Sequence, residues 1–195
     1  MTMRIVAAAL LLLQAAPAAA QPEHPLDQAA MQEAMLKAAT PGPFHAFLAK
    51  KAGNWRIAGR MWTLPGAEPQ ASESTATIEM ILGGRYLMER MHGTTMGMPF
   101  EGLGLTGYDN TTGQVTAVWM DTMGTMTMVL TGRWDEPGAP LQTTGRYLDP
   151  VSGIAMDVRT LTTFLGEDES RFEYFATVPG LAEMKMMELV YTRDR

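Results

Sequence analysis

The stretch Phe100–Thr122 reads FEGLGLTGYDNTTGQVTAVWMDT and decides the fold class. Two β-rich segments, Phe100–Tyr108 and Gln114–Thr122, flank the turn-forming run Asp109–Gly113, in which glycine stands at the usual left-handed position. Segments joined by so short a turn pair as antiparallel neighbours. The stretch therefore predicts a β-hairpin.

The same alternation of β-rich segments and turn residues continues on both sides of this hairpin. It predicts about ten strands, with no long helix between them. These are Trp55–Leu64, Ser72–Leu82, Arg85–Thr94, Phe100–Tyr108, Gln114–Thr122, Thr125–Trp134, Leu141–Leu148, Ile154–Leu165, Ser170–Val178 and Met184–Arg193. Gly83-Gly84 predicts a two-residue hairpin turn. Because an open sheet of this length leaves edges unpaired, we predict an all-β fold, an antiparallel up-and-down β-barrel, with a two-sheet sandwich as the competing arrangement.

The first twenty residues predict a secretory signal peptide. Arg4 precedes the apolar run Ile5–Leu13, and Ala18-Ala19-Ala20 satisfies the small-residue rule for cleavage before Gln21. The apolar run is far shorter than the roughly 20 residues that a membrane span needs. We therefore expect an exported protein, periplasmic or secreted, with no transmembrane anchor after cleavage.

Residues 21–43 predict a helical lead to the barrel domain, which we assign to residues 44–195. Leu26–Ala39 lacks glycine and β-branched residues and places apolar side chains at helical spacing. Pro43 suits the first turn of a second short helix, in which Phe44, Phe47 and Leu48 share one face.

The composition excludes several classes of function. The 195 residues contain 15 Lys and Arg against 21 Asp and Glu, without a basic run, so nucleic acid is a poor partner. The chain has no cysteine, which excludes disulfides, thiolate metal sites and iron–sulfur clusters. We predict no cofactor, and the sequence leaves the oligomeric state open.

Two sets of motifs carry a resemblance to known families. Gly53-Asn54-Trp55 resembles the G-x-W opening of lipocalins and related calycin barrels, although the mid-chain T-D-Y of true lipocalins is missing. More specifically, Phe44–Arg193 resembles an exported bacterial family, domain-of-unknown-function family 1579. The motifs that carry this are Gly107-Tyr108-Asp109, Trp119-x-Asp121 with Gly124-Thr125, and Tyr191-Thr192-Arg193. The resemblance implies a lipocalin-like barrel in which Arg193 lies over Trp55 at a closed end, and it assigns no activity.

Sequence motifs for catalysis are weak. Gly102–Gly107 matches the dinucleotide-binding pattern G-x-G-x-x-G. Dinucleotide binding needs a helix after this loop, whereas a turn and a strand follow here, so a bend or bulge of the strand is the better interpretation. No serine lies in G-x-S-x-G. Carboxylates on predicted strands, such as Glu89 and Asp121, leave open a barrel-fold enzyme that acts on a small apolar molecule. We predict no catalytic residue.

Methionine is abundant, with 18 in the chain. Thioethers fill irregular apolar space or line adaptable cavities. His92 with Met96 and Met98, or the hairpin Met120–Met128, also leaves open a copper-handling protein, since thioether and imidazole suit Cu(I).

The preferred hypothesis is a barrel that binds a small apolar or amphiphilic molecule. We predict a cavity wall that contains Trp119 and either Met88 or Met91, with an inward charge from Arg90 or Arg159 to orient an anionic head group. A structural barrel without a ligand is the remaining alternative.

Overall fold

The computed structural model describes residues 27–64, 66–150 and 152–195. The predicted signal peptide and its cleavage site lie outside the described residues. No helix within these ranges is long and apolar enough to cross a membrane.

Two short helices precede the sheet. Helix α1 spans Gln28–Ala39 and begins at Asp27, whose carboxylate accepts a hydrogen bond from the Ala29 amide at 3.3 Å. Helix α2 spans Pro43–Ala49 and starts at the proline that the sequence marked, because the first helical residue needs no amide donor. All residues of α1 are exposed, whereas α2 buries His45 and Leu48.

Ten antiparallel strands form a closed barrel in chain order, and the first strand pairs with the last. The strands are β1 Gly53–Met61, β2 Gln70–Ile81, β3 Tyr86–Thr95, β4 Met98–Asp109, β5 Gln114–Asp121, β6 Met128–Arg133, β7 Leu141–Leu148, β8 Ala155–Phe164, β9 Glu169–Thr177 and β10 Met184–Arg193. Closure leaves no unpaired edge. The predicted fold class, an up-and-down β-barrel behind short N-terminal helices, is confirmed.

Some predicted element boundaries differ from the structure. The connection between β2 and β3 has four residues, Leu82–Arg85, instead of the predicted two-residue turn at Gly83-Gly84. Both Gly84 and Arg85 donate their amides to the Ile81 carbonyl, so the turn is wider than a two-residue hairpin. Strand β6 begins at Met128, because residues 122–127 form a loop.

Side chains alternate between the barrel interior and the outer face. On β1, for example, Trp55 and Ile57 are buried while Arg56 and Ala58 are exposed. The alternation breaks on β10, where Met186 is an extra residue between Lys185 and Met187.

A hydrophobic cluster under α2 closes one end of the barrel. Leu48 of α2 packs with three buried residues from strand ends or a loop, namely Val115, Trp134 and Leu141. Phe44 stacks on Tyr108 at 3.9 Å between ring centroids, and Phe47 contacts Trp134 at 5.5 Å. We call this the capped end. The opposite end, where the loops 62–69, 96–97, 122–127, 149–154 and 178–183 lie, is called the mouth.

Candidate functional site

Arg193 lies over the ring of Trp55 at the capped end. Its guanidinium carbon is 4.4 Å from the ring centroid, and the two residues are also register partners between β10 and β1. The guanidinium donates to the Asp168 carboxylate at 2.8 Å and to the Ala52 and Lys50 carbonyls at 2.7 and 2.6 Å. These bonds tie β10 to the segment that enters β1.

Gly53 of the G-x-W motif is needed for this arrangement. Its φ is +138°, and a Cβ at this position would lie 2.5 Å from Nη1 of Arg193. Any other residue would be strained and would displace the guanidinium. The motif therefore makes room for the arginine that covers Trp55.

Lys51 is a buried cation next to this pair. Its Nζ donates to the carbonyl oxygens of Gly166 and Glu167 and lies 5.3 Å from the centroid of the Phe164 ring. Burial lowers the pKa of Lys51, and the charge of Arg193 adds to this effect. Because its ammonium is bound to backbone carbonyls, Lys51 holds the β8–β9 turn against the capped end.

Several side chains in the middle of the barrel face inward yet keep accessible surface. They include Leu87, Glu89, Phe100, Trp119, Phe172 and Tyr191. An inward side chain can be accessible only if free space lies beside it. The interior of this barrel is therefore not completely filled by side chains, and we call this space the lumen.

The polar centre of the lumen is a hydrogen-bonded pair, Glu89 and Tyr191. The Tyr191 hydroxyl donates to Oε1 of Glu89 at 3.0 Å, which joins β10 to β3 across the interior. Burial raises the pKa of the Glu89 carboxyl to about 7, because a charge far from bulk water is poorly solvated. Burial and the nearby carboxylate raise the pKa of Tyr191 well above its usual value.

The second carboxylate oxygen of Glu89 faces the lumen. Tyr191 is the only hydrogen-bond partner of Glu89 among the described residues, and it contacts Oε1. In the same part of the chain, every side-chain nitrogen or oxygen that is fully buried has a partner. Oε2 has none, so it must be accessible. The lumen thus presents one carboxylate oxygen to whatever occupies it.

Trp119 forms the aromatic wall next to Glu89. Glu89 pairs with Gly104, and Gly104 pairs with Trp119, so the three lie in one row across β3, β4 and β5. A Cβ on Gly104 would lie 3.3 Å from the Trp119 ring and 3.5 Å from Cβ of Glu89. Trp119 donates its Nε1 proton to Asp121 at 2.8 Å, and its ring stacks on Phe100 with centroids 6.4 Å apart.

The glycines of the G-x-G-x-x-G match accommodate aromatic rings. A Cβ on Gly102 would lie 2.3 Å from Cζ2 of Trp119, and one on Gly107 would lie 2.7 Å from the Tyr86 ring on the outer face. Strand β4 pairs with β3 and β5 without a register shift. The stretch therefore contains no bulge, and Gly102 and Gly107 provide flat surfaces for rings.

We expect the substitution Gly102→Ala to displace the Trp119 ring, because the new methyl group would overlap it. Overpacking of this kind costs about 1–3 kcal/mol of unfolding free energy. Tryptophan fluorescence and urea denaturation measure both effects. Gly124→Ala is the matched control, since a Cβ there would come no closer than 3.9 Å to the nearest atom. Equal behaviour of the two variants would contradict the assigned role of Gly102.

The residues predicted for the cavity wall divide between the two faces. Met91 is buried in the interior cluster and Trp119 packs against it, whereas Met88 and Arg90 lie on the outer face of β3. Arg159 also lies outside, where its guanidinium donates to Glu183 at 2.6 and 2.9 Å and lies 4.0 Å from the Phe175 ring centroid. The inward charge of β3 is Glu89, because strand alternation places Glu89 with Leu87 and Met91.

The sequence left open whether the face of β3 with Glu89 or the face with Arg90 lies inside, and it did not single out Tyr191. Parity groups Glu89 with Leu87 and Met91 on one face, but the opposite face of β3 is apolar as well, so parity alone does not decide which face lies inside. No local signal pairs Glu89 with Tyr191, because they lie 102 residues apart.

The loops at the mouth carry exposed apolar side chains. Each of the five has at least one large residue that is more than 40% exposed: Leu64, Met96, Met123 and Met126, Ile154, and Leu181. His92 is exposed on the outer face of β3. Within the described ranges, no group of three or more His, Asp or Glu side chains could hold a metal ion.

These observations define a class of protein, a closed ten-stranded antiparallel barrel that has a helix over one end and a carboxylate in its interior. The chain belongs to the family described as protein of unknown function DUF1579, whose model matches residues 40–193. No curated protein matches the chain.

Two solved structures resemble the fold. The crystal structure of Rv2717c from M. tuberculosis has a TM-score of 0.58 at 17% identity, over 80% of this chain and 100% of that chain. A redesigned beta barrel has a TM-score of 0.43 at 11% identity, over 76% of this chain and 95% of the design. The first similarity supports the barrel fold and carries no function.

Proposed function

We propose that this protein is an exported barrel that binds a small, largely apolar molecule in its lumen. The observation that carries the proposal is the accessible, unpaired oxygen of Glu89 beside a cluster of aromatic and aliphatic side chains in the interior. Concave, mostly apolar sites with a few fixed polar groups are the usual form of small-molecule sites. Export rests on the pattern of the first twenty residues.

The apolar rim supports the same function. A ligand that enters between the loops of the mouth meets exposed Leu64, Met96 and Leu181 before it reaches Trp119 and Met91. Flexible methionine side chains adapt to ligands of different shape.

An enzyme is the second candidate, because a carboxyl with a pKa of about 7 has the protonation behaviour of a general acid or base. Mass spectrometry of a ligand recovered after incubation distinguishes the two functions. An unchanged mass supports a binding protein, and a changed mass supports an enzyme.

We expect the neutral fluorophore N-phenyl-1-naphthylamine to bind saturably, with one molecule per chain. Bound fluorophore should also show fluorescence energy transfer from Trp119. Ala117 of β5 faces inward, lies two residues from Trp119 and is not fully buried, so Ala117→Phe should fill the lumen and reduce this binding about tenfold or more. Fluorescence titration measures both.

Ala71→Phe adds the same ring on the exposed outer face of β2 and is the matched control. If the fluorophore does not bind, or if the two variants bind it equally, the lumen is not the binding site.

A further inference from the structure

We propose that the lumen selects an organic cation, an apolar molecule whose ammonium group pairs with Glu89. The inference rests on the proposed function and names the chemical class of the ligand. It replaces the anionic head group expected from the sequence, since the arginines that were to hold that group lie outside the lumen.

The charges that face the interior favour a cation. The inward positions of the ten strands carry the carboxylates Glu89 and Asp121, while their only Lys or Arg is Arg193, which lies at the capped end over Trp55. Arg193 is held by Asp168 and by backbone carbonyls, so it is not available to a ligand in the lumen. An anion there would meet carboxylates with no available counter-charge, and burying it would be costly.

The loops of the mouth carry negative charge, as the lumen does. Their described residues include the carboxylates Glu68 and Asp149 and no lysine or arginine, while Glu183 is paired with Arg159 of β8. A cleft lined by one sign of charge attracts ligands of the opposite sign and raises their local concentration. The mouth therefore favours the entry of cations.

The groups around Glu89 suit an ammonium. Oε2 of Glu89 is an accessible acceptor, and Oε1 accepts the hydrogen bond from Tyr191. Gly104 of β4 lies between Glu89 of β3 and Trp119 of β5, and it has no side chain to separate them. A cation next to a carboxylate and an aromatic ring gains a charge-assisted hydrogen bond and a cation–π contact. An alcohol of the same length can donate a hydrogen bond to Oε2, but it brings no positive charge to pair with the carboxylate and makes no cation–π contact.

The neighbours of Glu89 add no competing charge. Its register partners are Ile78 on β2 and Gly104 on β4, and Tyr191 of β10 is its titratable partner. Asp121 on β5 accepts from the Trp119 indole and from the Met123 amide. Because the Glu89 carboxyl has a raised pKa of about 7, preference for an ammonium should be complete near pH 8.5 and should disappear near pH 5.

Displacement of N-phenyl-1-naphthylamine by nonylamine, 1-nonanol and nonanoate tests the inference, at concentrations below micelle formation. At pH 8.5 we expect nonylammonium to bind about tenfold or more tightly than nonanol, and nonanoate to bind most weakly. Glu89→Gln keeps the side-chain shape and removes the charge, so it should abolish the preference for nonylammonium and leave nonanol binding within about threefold of the wild type.

Glu79→Gln is the matched control, because it removes a carboxylate from the exposed outer face of the adjacent strand β2. It should keep the preference. Equal binding of nonylammonium and nonanol to the wild type, displacement by none of the three probes, or a preference that survives in Glu89→Gln would each overturn the inference. The proposed function fails separately, if the fluorophore itself does not bind.

Discussion

Replacing Trp55 with alanine should lower the free energy of unfolding by about 3–5 kcal/mol, the usual loss for a large aromatic residue in a core. Trp55 is 2% exposed and packs with Ile57, Ala76 and Leu189. Its Nε1 donates to the Lys51 carbonyl at 2.9 Å, so its loss would also leave a buried carbonyl without that donor. Urea denaturation with the wild type in parallel measures the change.

Trp62→Ala is the matched control for this substitution. Trp62 lies just beyond the end of β1, is only partly buried, and has Lys185 Nζ at 5.9 Å from its ring centroid. Its removal should cost no more than about 1 kcal/mol. A Trp55→Ala variant as stable as Trp62→Ala would show that the capped end does not depend on the indole.

Local patterns were sufficient to predict the strands. Turn residues lie between all ten strands, and on β9 the residues Phe172, Tyr174 and Ala176, which alternate with Arg171 and Glu173, do face inward. Barrel closure followed from the number of consecutive hairpins, because edges must be paired. These features depend on neighbours in sequence or on general rules of sheets.

The interior site could not be predicted in the same way. Whether Glu89 or Arg90 faces inward depends on the register in which β3 pairs with its neighbouring strands, and both faces of β3 contain apolar residues. The position of Trp119 depends on Gly102 and Gly104 of β4, which in the sequence belong to the G-x-G-x-x-G match. The pairing of Arg159 with Glu183 joins β8 to the loop between β9 and β10. Each is a contact between residues distant in sequence or on separate strands.

Glu89 should make the protein less stable as the pH rises from about 4.5 to about 7. The folded-state pKa of its carboxyl is about 7, against 4.5 for a glutamate exposed to water. Below pH 4.5 both states hold the proton, so Glu89 costs nothing. Between these values the unfolded chain releases the proton while the folded chain keeps it, so the free energy of unfolding falls as pH increases.

Above pH 7 the Glu89 carboxylate lowers the free energy of unfolding by its full amount, about 3 kcal/mol. Glu89→Gln removes the titration, and its amide oxygen can still accept the hydrogen bond from Tyr191. We therefore expect the variant to match the wild type in stability at pH 4.5 and to exceed it by about 3 kcal/mol at pH 8.5, which for a chain of this size is a rise in Tm of roughly 6–12 °C.

Urea denaturation of wild type, Glu89→Gln and Glu79→Gln at both pH values measures the difference. Wild type and Glu89→Gln share all other titratable groups. The difference between their free energies of unfolding therefore isolates the effect of the Glu89 carboxyl. The exposed Glu79 control should show no such gain at pH 8.5. A difference between Glu89→Gln and wild type that does not change with pH would mean that Glu89 is as well solvated when folded as when unfolded. The carboxylate would then not lie in an apolar lumen, and an ammonium ligand would gain little from pairing with it.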